Sequence, residues 1–144
     1  MPQTIVPFIA YEDAAGAIDW LTRAFGFREN EAARMTADDG TIGHAELDVG
    51  DGSKIFLSTP TPDYESPKRH RETCAAAAKW SENPWVIDGL MVQVDDVDAH
   101  HAHAAAAGAA VLRPPEDVEP AGIRLWSGED VEGHRWMFVQ PLAP

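Results

Sequence analysis

Cysteine is nearly missing from this chain. Cys74 is the only one, so no intramolecular disulfide can form, and a lone free thiol suits a reducing compartment. Cations are scarce as well: 11 Lys and Arg stand against 24 Asp and Glu, a formal net charge of −13 at pH 7. A nucleic-acid groove or an anionic membrane surface needs clustered positive charge, and Lys68-Arg69-His70-Arg71 is too short a cluster to supply it. No stretch approaches the roughly 20 apolar residues that span a bilayer. The start, Met1-Pro2-Gln3-Thr4-Ile5-Val6-Pro7, lacks the basic region and apolar run of a secretory signal. A soluble cytoplasmic protein is expected, with no nucleic-acid or membrane partner.

What is present is organised around Thr41 to Ser58. Two alternating runs flank Gly50-Asp51-Gly52-Ser53, and an Asp-Gly between such runs is a strong hairpin signal. With a side-chain period of two, Ala45, Leu47 and Val49 point one way and His44, Glu46 and Asp48 the other. On the return strand Ile55 and Leu57 continue the apolar face, while Phe56 and Ser58 fall beside the polar one. Upstream, Ile5 to Tyr11 reads as a strand, and Ala14 to Phe25 as a helix capped by Asp13 and ended by Gly26. Phe27 to Met35 is weakly extended.

The same order returns late in the chain. Gly89 to Asp95 is an apolar run, Asp96 caps a helix ended by Gly108, and Val111-Leu112 precedes a Pro114-Pro115 turn region. A second hairpin then turns at Val131-Glu132-Gly133. Two copies of one unit fit this pattern: a first module at 1–59, a second at 89–144, and between them a proline-rich linker or lid at 60–88 with a short helix from Arg71 to Trp80. The fold class is α+β.

The segments Ala17-Ile18-Asp19-Trp20-Leu21 through Ala24-Phe25-Gly26-Phe27, His44-Ala45-Glu46-Leu47, Val94-Asp95-Asp96-Val97-Asp98-Ala99 and Glu132-Gly133-His134-Arg135-Trp136 together resemble the vicinal oxygen chelate superfamily of glyoxalases, bleomycin-resistance proteins and extradiol dioxygenases. The resemblance covers nearly the whole chain. It implies two βαβββ modules in a curled mixed sheet around a cavity, usually completed in a homodimer, and in many members a divalent metal that acts as a Lewis acid. The four ligand positions it implies fall at or beside Val6, within Phe56 to Ser58, at or beside Gly89 with Asp88 adjacent, and at or beside Met137. These positions supply at most one donor where a catalytic metal takes about three. The standard metal site is expected to be absent and no cofactor is required, with a divalent metal left as the alternative.

His44 and Glu46 project to one side of a strand and read first as a polar pair lining the cavity or hydrogen-bonding across strands; they are also the candidates for catalysis, metal ligation or orienting a ligand, with His134 a third partner to be tested. Phe56, Ser58, Trp126 and Met137, with Trp80 and Trp85 from the linker, are the candidate ligand walls. Trp20 and Trp136 read as core. His100, His101 and His103 lie on a helix expected to pack outside the sheet, His101 on the stripe facing it, and all three read as structural. Cys74 has Arg71 near it, a cation that can favour a thiolate, but no histidine and acid are spaced to make it a nucleophile, so it reads as an unreactive thiol. The expectation is a metal-free binder of a small, partly apolar or aromatic molecule, neutral or cationic rather than anionic. The alternative is a metal-dependent lyase, isomerase or dioxygenase using His44 and Glu46, and an interaction module with no ligand is a third reading.

Overall fold

The computed structural model describes residues 3–86 and 88–144. Met1 and Pro2, the start of the stretch read for a signal, and Ile87 of the proline-rich connection lie outside them. The chain forms two compact units, Met1–Ser66 and Pro67–Pro144.

The first unit runs β1 (Phe8–Ala10), α1 (Ala14–Phe25), β2 (Arg28–Glu29), a 3-10 turn, β3 (Met35–Thr36), β4 (Ile42–Val49) and β5 (Ser53–Ser58). Asp13 accepts the Gly16 amide at 3.0 Å to start α1, and Gly26, at φ 78°, ends it in the left-handed conformation that only glycine adopts cheaply. Strand order is β1-β5-β4-β2, with β3 also pairing β4. β1 lies parallel to β5 and the other pairs are antiparallel. The weakly extended stretch after α1 is two two-residue strands rather than one. Ala45, Leu47, Val49, Ile55 and Leu57 are buried with Ile18, Leu21 and Phe25 of α1 as the core. Burying each of the larger of these side chains contributes about 2 kcal/mol.

The second unit begins with α2 (Pro67–Thr73) and α3 (Ala75–Ser81). One helix was expected over Arg71 to Trp80. There are two because Cys74 is extended, at φ −127° and ψ 113°. Then come β6 (Leu90–Gln93), α4 (Val97–Ala106), β7 (Ala110–Val118), β8 (Ile123–Glu129) and β9 (Arg135–Pro141), in sheet order β6-β9-β8-β7. The expected turn at Pro114-Pro115 lies inside β7. That strand is at the sheet edge and shifts register on either side of Arg113, which is where a ladder can absorb residues without an N–H.

Both βαβββ modules read from the sequence are therefore present, each with its own mixed sheet, of five and four strands. Their correspondence extends to single bonds. The Tyr11 amide donates to the Ser58 carbonyl in the first unit and the Val94 amide to the Val139 carbonyl in the second, both at 2.9 Å. Asp96 caps α4 through the Ala99 amide as Asp13 caps α1.

Helices α2 and α3, read as linker or lid, are bonded onto the second unit. Arg71 reaches the buried carboxylate of Glu129, and Arg135 donates to the carbonyls of Ser81, Asn83 and Trp85. The Lys68 amide bonds the Glu132 carbonyl at the β8–β9 turn. Gly133 permits that approach: its φ is 89°, and a Cβ there would fall 2.8 Å from the Lys68 nitrogen.

Candidate functional site

Alternation on β4 divides the first sheet into a face toward α1 and a far face. Cross-strand partners share a face, so the register aligns Phe8, Phe56 and Glu46 in one row across β1, β5 and β4. The Asn30 amide bonds the Glu46 carbonyl, and its side chain reaches Oε2 of Glu46 at 3.5 Å, completing the row. Beside it, His44 Nε2 is 3.4 Å from Glu46 Oε1, and its ring meets Phe56 edge to face with centroids 4.8 Å apart. Phe8 is 59% exposed. The next row is charged: Lys54 donates to Asp48 at 2.7 Å, raising the ammonium pKa and lowering that of the carboxyl.

The second unit repeats this layout. Met91 pairs with Met137, Met137 with Ser127, and Ser127 with Arg113, one row across β6, β9, β8 and β7. Met91 stands three residues before Val94 as Phe8 stands three before Tyr11, and Met137 two before Val139 as Phe56 two before Ser58. Glu129 and Arg135, bonded at 3.1 Å, repeat the Asp48–Lys54 pair. In each unit the parallel strand pair thus presents two apolar side chains, followed by a polar one.

The candidates separate on this frame. His44, Glu46 and Phe56 are brought together, and Ser58 is buried two residues along the same face. Met137 is half-buried on the far face of the second sheet. Trp126 is elsewhere: it is 0% exposed, faces α4, stacks on Phe138 at 5.0 Å, and donates its indole N–H to His100 Nδ1 at 3.1 Å. It is core rather than ligand wall. Trp80 and Trp85 are both more than half exposed; Arg113 lies over the Trp85 ring at 5.0 Å. His134 sits at the β8–β9 turn, its amide held by Asp130, in the other unit from His44.

His100 is the helix residue the sequence undervalued, since its ring also packs 4.3 Å from Phe138. His101 meets the Trp126 edge at 5.4 Å, while His103 is exposed. Arg71 is committed to Glu129 rather than Cys74. The thiol pKa is lowered instead by the Ala77 amide and then by His70.

The four implied metal positions do not hold a donor set. Neither Phe56 to Ser58 nor Trp136 to Phe138 contains a carboxylate or a histidine. A Cβ on Gly89 would lie 2.6 Å from the Arg135 carbonyl oxygen, so no ligating side chain fits there. The neighbouring Asp88 is exposed, with φ 55°. Val6 offers no ligating atom. Among the described residues, no three His, Cys, Asp or Glu side chains are grouped to hold a metal ion. Within the same residues, no helix is long and apolar enough to cross a membrane.

The family model of the Glyoxalase/Bleomycin resistance protein/Dioxygenase superfamily matches residues 4–138. The chain belongs to this superfamily. An uncharacterized relative from Mycobacterium bovis is 30% identical over 136 residues, 94% of this chain and 82% of its own length. Among solved glyoxalase-like structures, TioX from Micromonospora sp. ML1 is 34% identical, with TM-score 0.68 over 99% of this chain and 98% of that one. Glyoxalase I from Zea mays shares the fold at 15% identity and TM-score 0.68, over 94% of this chain and 43% of that one. Superfamily membership supplies the fold, and function has to be argued from the site.

Proposed function

We propose that this superfamily member binds a small, partly apolar or aromatic molecule without a metal. The observation that carries the reading is the apolar pairing of Phe8 with Phe56 and of Met91 with Met137 across the parallel strands, in a chain whose implied metal positions supply at most one donor. Phe8 and Phe56 supply a flat apolar wall, and His44 and Glu46 orient a polar group at its edge. The net charge of −13 favours neutral or cationic ligands. A homodimer in the reducing cytoplasm is the proposed working form, consistent with the free thiol of Cys74.

The test is a fluorescence titration of tag-free protein with 1-aminoanthracene, together with metal analysis and mass in solution. Saturable binding weakened about tenfold by Phe56→Ser, the equivalent of one lost aromatic contact, supports the reading. Stoichiometric zinc, nickel, manganese or iron(II) that disappears in His44→Ala would overturn it in favour of a metal-dependent lyase, isomerase or dioxygenase built on His44 and Glu46.

A further inference from the structure

Ser127 is 1% exposed, and its Oγ is the one buried side-chain polar atom among the described residues that lacks a hydrogen-bond partner. Buried hydroxyls are nearly always satisfied, because an unmade bond forfeits hydration with nothing in return. Its counterpart in the first unit sharpens the anomaly. Glu46, at the same place in its row, has Asn30 and His44 within reach, whereas Ser127 has none.

The neighbours of Ser127 indicate what would complete it. On one side the row continues through Met137 to Met91, which is 62% exposed at the end of the row. Two unbranched, polarizable thioethers re-pack easily around a flat apolar body. On the other side stands Arg113, already ion-paired with Glu116 and lying over Trp85. Its charge is neutralised within the protein, and the chain as a whole is strongly acidic. The row therefore suits an uncharged acceptor better than a carboxylate. A serine hydroxyl can donate to a carbonyl oxygen, and in a site shielded from water that bond is strengthened.

We infer that Ser127 is a ligand-anchoring residue, donating its hydroxyl hydrogen to the carbonyl oxygen of a flat, otherwise apolar molecule laid along Met91 and Met137. This rests on the small-molecule reading above and adds to it the functional group recognised.

A matched probe pair tests it: 9-fluorenone and fluorene, which share a flat tricyclic frame and differ by the carbonyl. Affinities come from tryptophan quenching, and the fluorenone carbonyl stretch is followed by infrared difference spectroscopy. The full chain is expected to bind fluorenone about fivefold tighter than fluorene and to move the stretch to lower wavenumber. Ser127→Ala should abolish the preference and the shift while leaving fluorene affinity unchanged. Ser127→Cys, near-isosteric with a weak S–H donor, repeats the test without opening a void.

Equal binding of the two probes by the native chain, or a preference that survives both substitutions, would overturn the role of Ser127 and leave the small-molecule reading standing. If neither probe binds, the small-molecule reading fails and the anchor fails with it.

Discussion

Arg71 grips Glu129 with both guanidinium nitrogens, Nη1 to Oε2 at 2.8 Å and Nη2 to Oε1 at 3.0 Å. Glu129 is buried, and the two residues come from α2 and β8, so this bidentate bond fastens the proline-rich segment to the second sheet. Arg135 supplies a second cation to the same carboxylate. Arg71→Ala should lower stability by about 2 kcal/mol, in the range of hydrogen bonds to charged groups, and speed amide exchange in α2. Urea denaturation with hydrogen exchange checks this. Unchanged exchange in 67–81 would show that the helices are held by other contacts.

Phe8 and Trp126 should respond oppositely to truncation. Phe8 lies open on the far face, so Phe8→Ser should change stability by no more than about 0.5 kcal/mol while weakening binding of an apolar probe. Trp126 is sealed between Phe138 and α4, and Trp126→Ala should cost about 3–5 kcal/mol. Paired denaturation curves decide the matter. A stable Trp126→Ala protein with impaired probe binding would return this tryptophan to the ligand wall.

Acid should weaken the fold through identifiable carboxylates. Lys54 holds the Asp48 carboxyl below its usual pKa, and Arg124 does the same for Asp98. The unfolded chain then takes up these protons first as pH falls. Their contribution is complete above the ordinary carboxylate range and is lost as pH falls through the lowered values. The thermal midpoint should hold from neutrality to about pH 5 and decline below. In Asp48→Asn/Asp98→Asn the decline should be shallower; an equally steep one would assign the acid sensitivity to other groups.

Cys74 should ionise below the ordinary thiol range. The Ala77 amide is the largest cause and His70 contributes next, so His70→Ala should raise the thiol pKa only part of the way back. Arg71→Ala should leave it in place. The pH profile of iodoacetamide alkylation measures both, and a profile that follows Arg71 would reverse the assignment.

Much of this was legible because its signals are local. Asp13 and Gly26 bound α1, and alternation with a Gly50-Asp51-Gly52 turn specifies the β4–β5 hairpin and places His44, Glu46 and Phe56 on one face. The corresponding cues at Asp96 and Gly133 disclose the repeat. The position of Trp126 was not legible, because both faces of β8 mix apolar and polar residues, Leu125 with Ser127 and Glu129 on one and Trp126 with Arg124 on the other, and only register against β9 shows that Trp126 joins Phe138 and Ser127 joins Met137. The break at Cys74 was hidden in an alanine-rich run that favours helix on both sides. Prolines 114 and 115 read as a turn because sequence does not reveal that β7 is an edge strand. The orphaned hydroxyl of Ser127 depends on what its neighbours fail to offer, and no spacing rule carries that.

The parallel pairing of β1 with β5 and of β6 with β9 has a kinetic corollary. Phe8 and Phe56, like Met91 and Met137, are nearly fifty residues apart in sequence, while each hairpin closes over a three- to five-residue turn. Loop entropy and topology delay the distant pairing until local structure can reward it. Each apolar row should therefore be completed late in folding, after the hairpins that supply one strand of each pair.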